Sequence, residues 1–322
     1  MQEVIIMSNY RLVSPRDFIG ETLIEFAEEN EKIAVIDSDL SSSVTTNKFA
    51  EKFPKRFFEM GIAEQNSMGV TTGLAFEGLI PFFVDFSIFV TGTVWTQLRQ
   101  ACYSKANVKI IGSHPGIDNG PDGATHHALE DIALSRVLPN LTVLIPGDTY
   151  ELKDMIKKAI EINGPVYIRT ARDVVPLYNT EDTGFELGKA QVIYDEGDDI
   201  ALIFEGTAGK QAFEGFELLK EKGYKCKLIN IRSIKPVDKA LILETGKGVK
   251  GIITVENHSV YGGLGSVIAE ILGTAEHKAV LRYVGINDTF TESGKTSDVK
   301  EKYGLSKEKI LTAAEEIMRK QF

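Results

Sequence analysis

The sequence predicts an α/β protein of two domains, each a mostly parallel sheet flanked by helices. Three observations carry that reading. Short β-rich runs alternate with helical stretches, the pattern of βαβ units. The alternation breaks once, across 174–199 (VVPLYNTEDTGFELGKAQVIYDEGDD), which is rich in acids, Gly and Asn/Asp and has no helical periodicity. The length of 322 residues, at roughly 150 per domain, allows two cores that need no disulfide or metal to hold them. On this reading the domains are residues 1–185 and 186–322.

In the first domain the β-rich runs are KIAVID (32–37), VKIIG (108–112), LTVLIP (141–146) and PVYIR (165–169). Helices are expected over Arg16 to Glu29, Thr93 to Lys105 and Thr149 to Asn163. The last is the best signalled, with Asp148 or Thr149 as cap, an acid in its first turn and Asn163-Gly164-Pro165 as its stop. The second domain reads as DIALIFE, a helix over about 208–222, KCKLINIRS, a short helix near 237–246, GIITVE, a helix after Gly265 and a last helix over 306–320.

Lys plus Arg is 36 and Asp plus Glu is 46, a net charge of −10, which is opposite to the basic footprint of nucleic-acid binding. A phosphorylated small molecule stays compatible, because a few convergent His and Arg side chains make a local positive pocket. Cys102 and Cys226 lie far apart in apolar surroundings, the pattern of reduced thiols in a cytoplasmic protein. No run reaches 18 consecutive apolar residues, and the N-terminus lacks an apolar export signal, so neither a membrane nor export is expected. Met7 offers an alternative start, which makes the first six residues look detachable.

Five segments are candidates for chemistry. Glu64, in GIAEQN, opens a helix of small residues, where an acid is an ordinary first-turn residue unless close packing at Gly69 and Gly73 buries it. Phe83, Phe86 and Phe89 share one face if PFFVDFSIF is helical, as a core stripe or a slot for a flat ring; a strand running into a helix changes that face. The polar loop 112–127 (GSHPGIDNGPDGATHH) follows a strand and holds three of the five histidines, where open α/β folds place ligand groups. A metal there is disfavoured: His126 and Glu130 are four apart, but no thiolate or HExxH spacing accompanies them. Arg169 and Arg172 are either phosphate ligands or ordinary ion-pair residues. The run Tyr261 to Ser266 lacks the GxGxxG spacing and suits a tight start to a helix better than a dinucleotide.

Together, GIAEQ, the phenylalanine triplet, DGATH and LPNLTVLIPGD resemble, in order and spacing, the pyrimidine-binding domain of the thiamine-diphosphate-dependent transketolase family. DDIALIFEGT and VENHSVYGGLGS resemble that family's C-terminal domain. The family's diphosphate-binding GDG motif, with its later Asn, does not occur, Pro146-Gly147-Asp148-Thr149 being the nearest approach. The chain is thus similar to the C-terminal subunit of a split transketolase. The resemblance implies an N-terminal partner subunit that holds the diphosphate and its Mg2+ or similar divalent ion, a shared cofactor site and an alpha2beta2 assembly.

Carried over residue by residue, the resemblance implies that Glu64 hydrogen-bonds the aminopyrimidine N1′, favouring the tautomer that removes the thiazolium C2 proton. Phe83, Phe86 and Phe89 would surround the pyrimidine, and Asp39 would lie near the cofactor. Asp122 and His126 would read the ketose hydroxyls, with His126 assisting the carbonyl; His114, Arg172, Ser43 and Arg16 would bind the substrate phosphate. The implied reaction passes a two-carbon ketol unit from a ketose phosphate to an aldose phosphate, as in the pentose phosphate pathway. Within the family, 1-deoxyxylulose-5-phosphate synthase has an Asp-Arg pair where this chain has Ser113-His114, and 2-oxo-acid dehydrogenase beta subunits lack DGATH. A non-catalytic binding subunit that kept the fold is opposed by the intact Glu64, Asp122 and His126.

Overall fold

The structure is a computed structural model that describes residues 6–7 and 10–319. Residues 1–5 of the six read as detachable, and residue 320 at the end of the last expected helix, lie outside the described residues. Two large sheets carry the fold. The first has seven strands in the order Ser233–Lys235, Thr142–Leu144, Val166–Thr170, Lys109–Ser113, Ile80–Phe86, Ile33–Asp37 and Phe57–Glu59. All pair in parallel except Ser233–Lys235, which runs antiparallel to Thr142–Leu144. The second has five strands, Gln191–Asp195, Cys226–Ile231, Ile200–Glu205, Gly251–Ser259 and Val280–Ile286, again parallel apart from its first member. A small third sheet joins Ile6–Met7, Tyr10–Val13 and Val175–Pro176.

Parallel strands covered on both faces need apolar side chains on both, and Ile33–Asp37, Ile80–Phe86, Lys109–Ser113 and Val166–Thr170 are buried at every position. Helices Ile19–Glu29 and Thr149–Glu161 pack Leu23, Leu152 and Ile156 with Phe82, Val84 and Phe86 on one face. Helices Glu64–Phe76 and Trp95–Tyr103 bring Met68 and Leu98 to Ile36 and Phe83 on the other. Asp148 is the cap of the Thr149 helix: its Oδ1 accepts the N–H of Tyr150 and of Glu151, each at 3.1 Å.

Where elements differ from expectation, the cause is local. Pro15 starts a 3-10 turn over Pro15–Phe18, so the first α-helix begins only at Ile19. A π-helical turn over Phe89–Thr93 delays the next expected helix to Trp95. The run KCKLINIRS is not one strand: Cys226–Ile231 stays in the second sheet, while Ser233–Lys235 leaves to pair with the first. Cys102 and Cys226 are free and buried, and burial pushes each thiol up to about 12. Among the described residues, no helix is long and apolar enough to cross a membrane.

The two sheets meet around Arg169, whose side chain is fully enclosed. Its Nε donates to Asp131 Oδ2 at 2.7 Å, Nη1 to Glu205 Oε2 at 3.1 Å and Thr207 Oγ1 at 2.6 Å, and Nη2 to the Asn257 carbonyl at 2.8 Å. Arg169 is therefore the ordinary ion-pair residue of the two readings open to it. Replacing it by Met strands two buried carboxylates, so Arg169→Met is expected to cost about 3–5 kcal/mol, read from the denaturant midpoint of unfolding. A loss near zero would show that the cluster does not hold the domains.

Candidate active site

The carboxyl ends of the parallel strands face one edge of the first sheet, and nearly every candidate residue follows such an end. Asp39 and Ser43 follow Ile33–Asp37, Glu64 follows Phe57–Glu59, Phe89 follows Ile80–Phe86, and His114, Asp122 and His126 follow Lys109–Ser113. Arg172 follows Val166–Thr170. Arg16 joins from the N-terminal segment: its N–H donates to the Ala171 carbonyl at 3.1 Å, and the Ser14 hydroxyl donates to the Arg172 carbonyl at 2.9 Å.

Phe86 and Phe89 are stacked, with centroids 6.0 Å apart and 14° between planes. The His114 ring lies 3.9 Å from Phe86, and His126 stands edge-on 5.4 Å from Phe89. Phe83 takes no part in this group. Strand alternation turns it to the opposite face from Phe86, where it is fully buried in the same apolar cluster as Met68. A strand running into a helical turn, rather than a helix throughout, decides the matter.

His114 is 3% exposed and sits at φ +57°, a left-handed backbone that holds its ring over Phe86. Its Nδ1 is 3.0 Å from Ser113 Oγ. Burial first, then the charges of Arg16 and Arg172 and the ring of His126, push His114 down to about 2. It is thus a neutral imidazole beside two cations. Arg172 is anchored by Asp118: its N–H donates to Asp118 Oδ2 and its Nη1 to the Asp118 carbonyl, both at 3.0 Å. The Arg16 guanidinium pairs with Asp17 at 3.1 Å. His126 is partly buried with Nδ1 2.9 Å from Thr125 Oγ1, and Asp122 is exposed at the end of a 3-10 turn over Gly120–Asp122.

Glu64 is the first residue of its helix, half-buried, and its carboxylate makes no hydrogen bond or ion pair among the described residues. Glu59 links its turn to that of Asp39, accepting the N–H of Asp39 at 2.8 Å and of Gly61 at 3.0 Å. Asp39 is exposed at φ +67°. Ser43 is half-buried on the next turn, which docks on the Arg16 segment through the Thr45 hydroxyl, donating to the Arg16 carbonyl at 3.3 Å.

Sequence reasoning passes over three acids here. Glu59 ties two turns together, and Asp118 anchors Arg172. Asp85 is fully buried, its Oδ1 accepting the Phe86 N–H at 2.6 Å; burial holds its carboxyl well above the usual range, and the negative Asp37 and Glu64 add to this. Its one signal was an acid inside an apolar strand, PFFVDF. Asp37 is pushed up to about 6, mainly by burial. Among the described residues, no three His, Cys, Asp or Glu side chains converge as a metal ion would require. At the glycine-rich run 261–266, Glu256 accepts the N–H of Leu264 at 2.6 Å and of Gly265 at 3.0 Å. A carboxylate already occupies the place a dinucleotide phosphate would need.

The state of His114 is measurable. Its ring resonances are expected to stay those of a neutral imidazole from pH 8 to pH 5, and a midpoint near 6.5 would contradict the site as described. The unfolded chain takes up the proton below about 6.5 and the native chain does not, so His114 lowers stability as pH falls through that value. His114→Gln is accordingly expected to lose about 2 kcal/mol less stability than the wild type between pH 7 and pH 5.

Comparison with known proteins fits this geometry. Residues 12–176 match the transketolase pyrimidine-binding domain and residues 188–310 the transketolase C-terminal domain. A Methanocaldococcus jannaschii protein provisionally described as a transketolase C-terminal section is 41% identical over 305 residues, covering 94% of this chain and 95% of that one. The 6-deoxy-6-sulfo-D-fructose transketolase subunit of a Clostridium species is 36% identical over 310 residues, 95% of each chain. A solved split-gene transketolase, an inactive beta4 tetramer, superposes with a TM-score of 0.87 at 41% identity, over 95% of this chain and 99% of that one. The chain belongs to the transketolase family, of which it carries the pyrimidine-binding and C-terminal domains.

Proposed function

We propose that the chain is the C-terminal subunit of a two-subunit transketolase that moves a two-carbon ketol unit from a ketose phosphate to an aldose phosphate with thiamine diphosphate. The observation that carries this reading is the meeting, at one sheet edge, of an accessible acid, a stacked aromatic wall and a cluster of two arginines with a neutral histidine. The family domains imply dependence on thiamine diphosphate. The residues present fit its pyrimidine: the parallel Phe86 and Phe89 rings make a flat apolar wall, and the Glu64 carboxylate has no hydrogen-bond or ion-pair partner among the described residues.

When bound, thiamine diphosphate supplies the carbon nucleophile and the electron sink for cleaving a carbon–carbon bond. The role of this chain is to orient and recognise. Glu64 holds the hydrogen bond at the pyrimidine N1′, with Phe86, Phe89 and Asp39 around that half of the site and Phe83 supporting it from the core. His126 and Asp122 receive the sugar carbonyl and hydroxyls. His114 contributes a neutral hydrogen-bonding nitrogen, and Arg16, Arg172 and Ser43 hold the phosphate. The diphosphate and Mg2+ or a similar ion are assigned to the N-terminal partner subunit in a cytoplasmic alpha2beta2 complex, and the domains to residues 1–185 and 186–322. Self-association is supported by Ile62, which is 80% exposed just before the Glu64 helix, and by Phe76, 62% exposed at the far end of that helix beyond open space at Gly69 and Gly73.

Purified with its proposed N-terminal partner subunit, the chain is expected to transfer ketol units between sugar phosphates, and alone with thiamine diphosphate and Mg2+ to be inactive. Glu64→Ala in the complex is expected to lower kcat at least about 100-fold. Turnover by the single chain would refute the two-subunit reading, and near wild-type activity of the variant would refute the role of Glu64. The relative named for a sulfo-sugar makes the anion itself a variable, so the panel pairs each ketose phosphate with its sulfonate analogue.

A further inference from the structure

The C-terminal domain has no assigned part in this chemistry, yet a group of its contacts with the first domain falls on one loop beside the site. That loop, residues 115–123, follows His114 and includes Asp122. Asn257, fully buried near the end of Gly251–Ser259, donates from Nδ2 to the Pro115 carbonyl at 3.2 Å and to Asp118 Oδ1 at 2.8 Å. Its Oδ1 accepts the Ile117 N–H at 2.9 Å. A Cβ on Gly116 would lie 2.1 Å from the Asn257 carbonyl oxygen, so the strand and the loop are in backbone contact. Further along, the Gly294 N–H donates to the Gly120 carbonyl at 2.9 Å.

Lys300, on helix Thr296–Lys302, is 3% exposed and pairs with Asp118 Oδ1 at 2.8 Å and Asp173 Oδ2 at 2.9 Å. Burial opposes its charge, but the two carboxylates hold its ammonium above the usual lysine range. Asp173 is in turn held below the usual carboxylate range by Lys300 in spite of its burial. The other oxygen of Asp118, Oδ2, accepts the N–H groups of Arg172 and Asp173, each at 3.0 Å. Asp118 thus turns one oxygen to the C-terminal domain and the other to the loop that carries Arg172.

We infer that Lys300 and Asn257 are positioning residues for the anionic end of the substrate: by fixing Asp118 they set the backbone and guanidinium of Arg172. The inference rests on the proposed assignment of Arg172 to the substrate phosphate. The C-terminal domain then governs the grip of the site by acting through Asp118 rather than on the substrate itself. Lys300→Met removes the charge and keeps the stem. Asn257→Ala removes the neutral donor to the same oxygen and leaves no charge unpaired.

In the two-subunit complex, each variant is expected to raise KM for a ketose phosphate about tenfold, the size of one misplaced charge-assisted contact, with kcat little changed. Values of kcat/KM for the same ketose without its phosphate should not move. The dissociation constant of the full chain for inorganic phosphate, measured by calorimetry, is expected to rise by a similar factor. Equal losses with both ketoses, an unchanged KM, or loss of folding in both variants would overturn the inference in favour of a purely structural role. If the wild-type complex transfers no ketol unit but phosphate binding still weakens in the variants, the proposed reaction fails and the positioning role stands.

Discussion

A guanidinium cut off from water must find an acceptor for its N–H groups within the protein, because the desolvation penalty of an unpaired buried ion reaches several kcal/mol. Arg169 meets that condition only by drawing acceptors from both domains: Asp131 from the first, Glu205, Thr207 and the Asn257 carbonyl from the second. The acceptors are themselves tied down. Asp131 Oδ2 also accepts the Tyr167 hydroxyl at 2.7 Å, and Glu205 Oε1 accepts the Asn257 N–H at 2.8 Å. A well-packed apolar cluster of equal volume would stabilise as much or more. What the polar cluster adds is direction: each hydrogen bond is satisfied in only one relative placement of the two sheets.

That placement reaches the site through Asn257. Its carbonyl lies on Arg169, while its side chain grips the loop after His114. Along the edge of the first sheet, His114, His126 and Arg172 follow the Lys109 and Val166 strands together with Asp118, Asp122 and Asp173, while Asp37, Asp39, Glu64 and Asp85 follow or lie in the Ile33, Phe57 and Ile80 strands, and the Phe86–Phe89 stack stands between. An acidic protein of net charge −10 thereby keeps a local positive corner, because Arg16 and Arg172 lie beside a histidine that burial keeps neutral.

The parts of this arrangement that depend on neighbours in sequence were legible there. Continuous apolar runs marked the buried parallel strands, and Asp148 before an amphipathic stretch marked a helix start that its two accepted N–H groups now explain. Motif order marked the residues proposed for the site. The parts that depend on distant partners were not legible. Arg169 and Arg172 stand three residues apart in one polar-looking run, but Arg169 still belongs to the strand and points into the domain junction, whereas Arg172 lies past its end. The face of Phe83 turned on whether its segment was strand or helix, which spacing alone leaves open. Asp118 read as a loop residue because its partners, Asn257 and Lys300, come from another domain.

The two halves of the edge differ in how far the chain completes them by itself. On the cationic side the polar groups already have partners: Arg172 on Asp118, Arg16 on Asp17, and His114 between Phe86 and Ser113. On the acidic side Glu64 has none among the described residues, Asp39 is exposed, and Ile62 and Phe76 are exposed on the Glu64 segment and its helix. Exposed apolar side chains beside an unpartnered carboxylate are what an interface consumes, since burial of the first drives association and the second gains a donor. Excluding water there would also strengthen the hydrogen bond proposed for Glu64, as the local dielectric falls. The surface offered for the proposed association begins, at Ile62, two residues from the acid that the proposed reaction needs, which would couple assembly to activity.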